Sequence, residues 1–464
     1  MEAERFDVVV LGGGPAGMAA ALTLAHHSAL SVAVVEKSDY DAPRIGETLS
    51  PGVVGLLHYL KVWDAFLAAG HQSTFGTSAA WGTDEVAARD YLFTPFGPGW
   101  HLDRRRFDAL LSDSAARAGA AVWRGARLAH AQPTPDGWEL DVAGRDTPRR
   151  VHARFVIDAT GKAAIFAKRR GAKRLCFDRQ VAAAGVFRFP GGVPDDTFTL
   201  VEAVESGWWY SAKLPDGELI VALMTDADIA NRLGVREPAT WLDALEGAAH
   251  TRRRLSAGRL EGAVRLVPAH SSRLDRPVGD RWIAVGDAAA SHDPLSASGI
   301  PRALDSGIHA ARAIHSFLGR GDRALLAWYE AHIQQSFASY CATRASYYRL
   351  EQRWPTSPFW RRRRQDVALD PRALVRWRED VDPAEAFSAV SQDLALRDYK
   401  LLRDLSLAPH PAHEVVAELK RRSGSALVDQ RIILALQELT ARGIVTVQGA
   451  TRSSLKSTTA RIAS

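Results

Sequence analysis

The stretch Phe6-Asp7-Val8-Val9-Val10-Leu11-Gly12-Gly13-Gly14-Pro15-Ala16-Gly17, with Glu36 nineteen residues beyond Gly17, decides the fold. Its first half is the β-branched, apolar run of a strand buried on both faces. Its second half satisfies G-x-G-x-x-G. Residues 16–25, rich in Ala, Leu and Met, read as a helix, and 31–35 as a second strand ended by Glu36. Gly12 permits the tight turn, Gly14 lets backbone approach a pyrophosphate, and Gly17 lets helix pack on strand. The anion then sits on the free N–H groups where Pro15 and Ala16 open the helix. Glu36 is spaced to hold a ribose hydroxyl pair. The glycines alone are a weak signal; the whole strand–glycines–helix–strand–acid unit specifies a dinucleotide site.

Working outward, 464 residues are too many for one ordinary core and imply two or three domains. An apolar content of 46% and a charged content of 24% are those of a soluble globular protein. No apolar run is long enough to span a bilayer, and no basic-then-apolar leader precedes the first strand, so no membrane partner and a cytoplasmic location are expected. The two cysteines, Cys176 and Cys341, lie outside any C-x-x-C or His/Cys cluster, so neither a disulfide framework nor a metal site is expected. Of the net charge of +6, residues 341–380 supply +5, from ten Arg and five Asp/Glu. Charge so confined is not the spread basic face of a nucleic-acid binder.

The fold expected is α/β: a Rossmann-like dinucleotide domain with an inserted antiparallel-sheet substrate domain and a small helical, winged-helix-like C-terminal module. The dinucleotide domain takes residues 1–75, 101–175 and 271–350. A helix is expected over 52–69, and another after His101-Leu102-Asp103-Arg104. Residues 151–158 form a strand closed by Asp158-Ala159-Thr160-Gly161, and Trp282-Ile283-Ala284-Val285 a late strand ending in Gly286-Asp287. The substrate domain takes 76–100, inside a stretch rich in aromatics (Phe75, Trp81, Tyr91, Phe93, Phe96, Trp100), and 176–270, where the period changes to two. Residues 351–398 form a basic linker or docking region around Arg361 to Arg364, or a charged face with Trp354, Trp360 and Trp377 tucked inward. Past 399, helices at 412–422 and 426–442 and a strand at 443–447 make the C-terminal module; the last dozen residues are polar and expected to fray. The second of these helices sets only Arg431 and Arg442 against Asp429 and Glu438, which argues against DNA.

Three separated segments favour FAD over NAD, because FAD is long and needs contacts from distant parts of the chain. Arg104 can neutralise pyrophosphate from outside the first motif, and Gly286-Asp287 can take the ribityl and pyrophosphate region. The loop Asp293-Pro294-Leu295-Ser296-Ala297-Ser298-Gly299-Ile300 can lay backbone against the isoalloxazine above another helix N-terminus.

With these motifs the chain resembles the class A flavoprotein monooxygenases. Their marks are the N-terminal glycine motif, a middle Asp-Gly motif (here Asp158 to Gly161, with two residues between the Asp and the Gly) and the late Gly286-Asp287. The likeness spans about residues 5–320. It implies FAD held by Gly12, Gly14, Pro15, Ala16, Gly17, Glu36, Lys37, Arg44, Arg104, Asp158, Gly286, Asp287, Pro294, Gly299 and Ile300. No second glycine fingerprint exists for a nicotinamide domain, which fits transient NAD(P)H binding or another reductant. Ile45-Gly46-Glu47-Thr48-Leu49 is similar to the halogenase branch. That branch carries W-x-W-x-I-P and a catalytic lysine on a strand after the first flavin loops. Here the aligned run is Tyr210-Ser211-Ala212-Lys213-Leu214-Pro215, and no lysine lies between Lys61 and Lys162. Ala79 to Glu85, Gly99 to Arg104 and Asp293 to Ser296 are similar instead to the flavoproteins that mature tryptophylquinone enzymes.

That resemblance implies an enzyme using O₂ and a reduced donor to hydroxylate a tryptophan of a partner polypeptide through a flavin C4a-hydroperoxide. Catalytic candidates are Glu47, His292, Trp208 and Tyr210. Glu47 orients flavin or accepts a proton, or else caps a helix. His292 is one of three acid–base histidines considered, with His71 and His101. Trp208 and Tyr210 line a pocket, or else fill the core. The alternatives are a hydroxylase, or halogenase, of a small aromatic metabolite, and a non-oxygenating flavin reductase.

Overall fold

Valines at alternate and successive positions make Glu4–Leu11 a central strand, and the computed structural model builds a parallel sheet on both of its sides. The order is Val278–Gly279, Trp282–Ala284, Arg149–Asp158, Glu4–Leu11, Val32–Glu36, Ala121–Arg124, with the hairpin Arg127–Thr134/Gly137–Ala143 joined antiparallel to Arg149–Asp158. Helices Pro15–His27 and Gly299–Arg320 pack so closely that a Cβ on Gly307 would stand 2.2 Å from the Ala16 carbonyl oxygen. The strand ends that carry Gly12, Asp158 and Gly286 therefore meet at one crevice, the place where ligands bind in open α/β sheets.

The structure describes residues 3–91, 96–144, 148–192, 195–364, 372–389, 394–423, 429–441 and 443–448. Phe93, Arg442 and the polar last dozen residues lie outside these. Among the described residues, no helix is long and apolar enough to cross a membrane.

The second sheet has seven strands, in the order Arg259–Pro268, Gln180–Arg188, Leu219–Asp226, Gly207–Lys213, Thr199–Val204, Gly76–Ala80, Ala87–Asp90. One pair departs from the antiparallel expectation: Thr199–Val204 runs parallel to Gly76–Ala80. These two strands come from distant parts of the chain, so no hairpin fixes their direction. Strict alternation sorts the side chains. Trp208, Ala212, Ala222 and Met224 fall in one buried cluster, and Trp209, Val221, Leu223 and Trp241 in another. The single helix expected over 52–69 is in fact Val54–Tyr59 and Trp63–Ala68, because Lys61 sits at φ +56° and breaks the ladder between them.

The chain divides into two compact units, Met1–Leu175 with Arg179–Arg361, and Arg362–Ser464 with Cys176–Asp178. The stretch 351–398 is shared between them. Trp360 is buried in the first unit, where its indole N–H donates to the Val204 carbonyl at 2.8 Å. Trp377 is buried in the second, in one cluster with Val375, Tyr399, Leu402, Val416 and Leu436. A cut at 399 would therefore divide one core. The Arg361 to Arg364 run ends the helix Pro358–Arg364; Arg363 is only 3% exposed, and all four arginines have partners. It is not a free cationic strip.

Candidate active site

Within the first unit a cavity of about 1170 Å³ opens at the crevice and runs along the face of the seven-stranded sheet. It is larger than an ordinary small-molecule pocket of roughly 300–1,000 Å³, as a dinucleotide lying beside a substrate would require. Its two ends are built differently.

The dinucleotide end is shaped by backbone. Gly12, at φ +109°, brings its Cα so close to the next strand that a Cβ would stand 2.3 Å from the Ala159 oxygen. Gly17 lies behind the wall, where a Cβ would stand 2.0 Å from the Gly12 oxygen. Gly14 lines the cavity with nothing within 4 Å of its missing Cβ. That leaves room for a ligand against the N-terminus of Pro15–His27. Glu36 lines the cavity and fixes the turn: Gly13 N–H donates to its Oε2 at 2.7 Å, and Ser38 N–H to its Oε1 at 3.0 Å. Arg44 and Arg104 also line it, but both are held by the fully buried Asp108, at 2.8 and 3.1 Å. Arg104 further donates to the Ile45 and Gly46 carbonyls at 3.2 Å. Their charge is thus largely matched by Asp108 and Glu36 before any ligand arrives.

Of the other residues expected here, Pro15, Ala16, Lys37, Asp287, Pro294, Gly299 and Ile300 line the cavity. Asp158 and Gly286 do not. The Asp158 carboxylate is fully buried and occupied by its own loop, accepting from Thr160 N–H at 3.0 Å, Thr160 Oγ1 at 2.6 Å and Ala167 N–H at 2.8 Å. It shapes the turn instead of facing a ligand. Gly286, at φ +56°, turns the chain where a Cβ would meet Ala16 Cβ at 2.6 Å, and its N–H donates to Ser306 Oγ at 2.9 Å. This presents Asp287 to the cavity.

The other end is shaped by side chains. Thr77, Ala182, Val201, Trp208, Tyr210 and Met224 face in from the sheet, and Glu47 and Thr48 from the loop opposite. Tyr210 Oη and Thr48 Oγ1 share a hydrogen bond at 2.6 Å, and burial with the nearby Glu47 carboxyl holds the phenol protonated, well above its usual range. Glu47 is 4% exposed, and its Oε2 is buried without a hydrogen-bond partner. Burial pushes its pKa up to about 7, although backbone N–H groups of Gly46 and Glu47 and the charge of Arg104 pull the other way. A carboxyl in that state can take or give a proton near neutrality.

The histidines do not behave as the sequence suggested. His292 lines the cavity, but burial, with the charges of Arg302 and Lys162, pushes its pKa down to about 3. It is a neutral ring packed edge-on against Tyr340 at 4.6 Å, too weak a base for proton transfer near neutrality. His101 is outside the cavity, bonded to Thr199 Oγ1 at 2.9 Å and pushed by burial to about 3. His71 lies between Phe66 and Phe107. The aromatic segment is also displaced from its expected place. Among its described residues none of the aromatics lines the cavity: Trp100 belongs to the core of the dinucleotide domain, Trp81 packs behind Trp208 at 6.3 Å, and Phe75 and Phe96 are 51% and 60% exposed. Thr48 and Asp293 stood in the sequence as members of the 45–49 and 293–300 stretches, and nothing there gave either side chain a role of its own.

The family model described as FAD binding domain matches residues 5–340, the span that builds this cavity. The chain belongs to that family. FAD is its cofactor, and it is an FAD-dependent oxidoreductase. The chain is 28% identical over 381 residues to LodB of Marinomonas mediterranea, named as an FAD-dependent oxidoreductase, covering 79% of this chain and 99% of that one. Its fold is similar to the myxobacterial chondrochloren halogenase CndH, with a TM-score of 0.72 at 24% identity over 79% of this chain and 87% of that one. It is also similar to QhpG, a peptidyl tryptophan dihydroxylase of tryptophylquinone cofactor biogenesis, with a TM-score of 0.63 at 24% identity over 95% and 99%.

Proposed function

We propose that this flavoprotein is a monooxygenase that hydroxylates a tryptophan of a partner polypeptide during maturation of a quinone cofactor, as QhpG does for its own substrate class. The observation that carries this reading is the make-up of the sheet wall. Among the described residues, the lysines on the cavity are Lys37, just after the second strand, and Lys162, whose ammonium donates to the Pro268 and His270 carbonyls at 2.9 and 3.3 Å. The strand Gly76–Ala80 offers Thr77 instead. With no lysine on the wall to carry hypohalous acid, the halogenase reading loses its reagent. The narrowest form of the proposal, resting on sequence likeness, is a partner akin to the small subunit of quinohemoprotein amine dehydrogenase.

In this reading Gly12, Gly14 and the N-terminus of Pro15–His27 receive the pyrophosphate, Glu36 the ribose, Asp287 the ribityl chain, and 293–300 the flavin ring. Bound FAD, reduced by NAD(P)H or another donor, supplies O₂ in a form electrophilic enough for an indole to attack. The protein supplies position and proton transfer. Trp208 and Tyr210 flank the substrate ring. The Tyr210–Thr48 bond fixes one side of the wall, and ionised Glu47 accepts the ring proton once oxygen has bonded. The apolar wall excludes water from the reaction. The C-terminal unit adds binding energy from the polypeptide outside the reacting ring.

Removal of residues 362–464, the second unit apart from Cys176–Asp178, tests this, because it leaves the first unit whole. FAD binding is expected to persist while oxygenation of a tryptophan-bearing polypeptide, followed by mass spectrometry, falls at least tenfold. Free tryptophan turned over as well as any polypeptide, by both forms, would end the proposal.

A further inference from the structure

We propose that the helix Ala324–Leu350 is a positioning element that couples the 292–298 loop to Trp208 on the opposite wall. Tyr340, Arg344 and Tyr348 recur every four residues and share one helix face. All three act on Asp293. Its N–H donates to Tyr340 Oη at 2.6 Å, and its Oδ2 accepts from Arg344 Nε at 3.1 Å and Tyr348 Oη at 2.7 Å. Oδ1 caps the turn Pro294–Ser296 by accepting from Leu295 N–H at 2.9 Å. Tyr348 also reaches the sheet, where its Oη accepts the Trp208 indole N–H at 3.0 Å.

One hydroxyl therefore stands between a carboxylate on the loop and an indole on the sheet. Asp293, Trp208 and Tyr348 are all buried, at 3%, 1% and 0% exposure. In so dry a place a hydroxyl that donates to a carboxylate is a strong acceptor, and each bond strengthens the next. Breaking either bond strands a buried polar group. The angle of the Trp208 indole and the seating of the loop are then one motion, so an aromatic substrate pressing on Trp208 is felt at the loop. This rests on the reading that the loop faces the flavin.

The test titrates apoprotein with FAD and records the visible circular dichroism of the bound flavin for Tyr348→Phe, Trp208→Phe and the double variant. Tyr348→Phe keeps the ring and removes both bonds; Trp208→Phe keeps an aromatic and removes the indole N–H together with the ring that carries it. Each single change is expected to weaken FAD binding about tenfold and shift the dichroism alike, with the double variant no worse than the weaker single. Wild-type affinity and dichroism in Trp208→Phe, or effects that multiply in the double variant, would overturn the coupling. Trp208→Phe decides the matter alone if Tyr348→Phe does not fold. Wild-type dichroism in Asp293→Asn would instead remove the placement of the loop against FAD, and the coupling with it.

Discussion

The two ends of the cavity are made of different material. The dinucleotide end is backbone: Gly12, Gly14 and the start of a helix, set by residues within a few positions of one another. The other end is side chain: Glu47, Thr48, Trp208 and Tyr210, gathered from two parts of the chain some 160 positions apart, as in the Thr48–Tyr210 bond. Change at the first end should therefore act through sterics and be all-or-none. Change at the second should act through protonation and orientation and be graded.

Gly12→Ala should give the largest effect. Its Cβ would meet the Ala159 oxygen at 2.3 Å from a left-handed backbone, and strain with overpacking costs roughly 4 kcal/mol, about a thousandfold in FAD affinity. Flavin content after gel filtration checks it; a yellow protein would break the contrast.

Glu47→Gln comes next. The folded-state pKa of about 7 lies above the ordinary 4.5, so the folded state holds the proton more tightly. Stability therefore falls as pH climbs through that window, and the wild type carries the cost of a buried charge above it. Relative to wild type, Glu47→Gln should gain about 3 kcal/mol between the acid and alkaline ends of the window, read by urea unfolding at each end. An unchanged difference would mean that Glu47 is not buried as described. The variant should also lose the rise in oxygenation rate toward neutral pH.

Asp287→Ala should cost less, about 2 kcal/mol or thirtyfold in FAD affinity, through a lost charge-assisted hydrogen bond. Full flavin retention would remove Asp287 from the site. In bromide and chloride the wild type should add no halogen to an indole, which mass spectrometry of the product checks.

The same contrast explains what the sequence disclosed. The strand, turn, helix and acid at 6–36 were legible because each constraint is local, and the late Gly286-Asp287 because its turn is local too. Asp158 was misplaced because a motif shows that a carboxylate is needed, not which way it points; Thr160 and Ala167 take it inward. His292 was misjudged because its pKa is set by burial and by Arg302 and Lys162, which no spacing reveals. The aromatics at 75–100 signalled apolar area correctly, but not whether it would be core, as Trp100 is, or exposed, as Phe96 is. Trp208 and Tyr210 were legible as one face of a strand, while their partners Tyr348 and Thr48 lie 140 and 162 positions away.

The destination of the oxygen separates hydroxylation of a polypeptide from every alternative. The holoenzyme, a reduced donor and isotopically labelled O₂ are incubated, with chloride and bromide present, with a tryptophan-bearing polypeptide and with free tryptophan. The polypeptide should gain labelled oxygen on its tryptophan, with free tryptophan turned over at least tenfold more slowly. A halogen on the indole, oxygen drawn from water, or equal turnover of free tryptophan would contradict it.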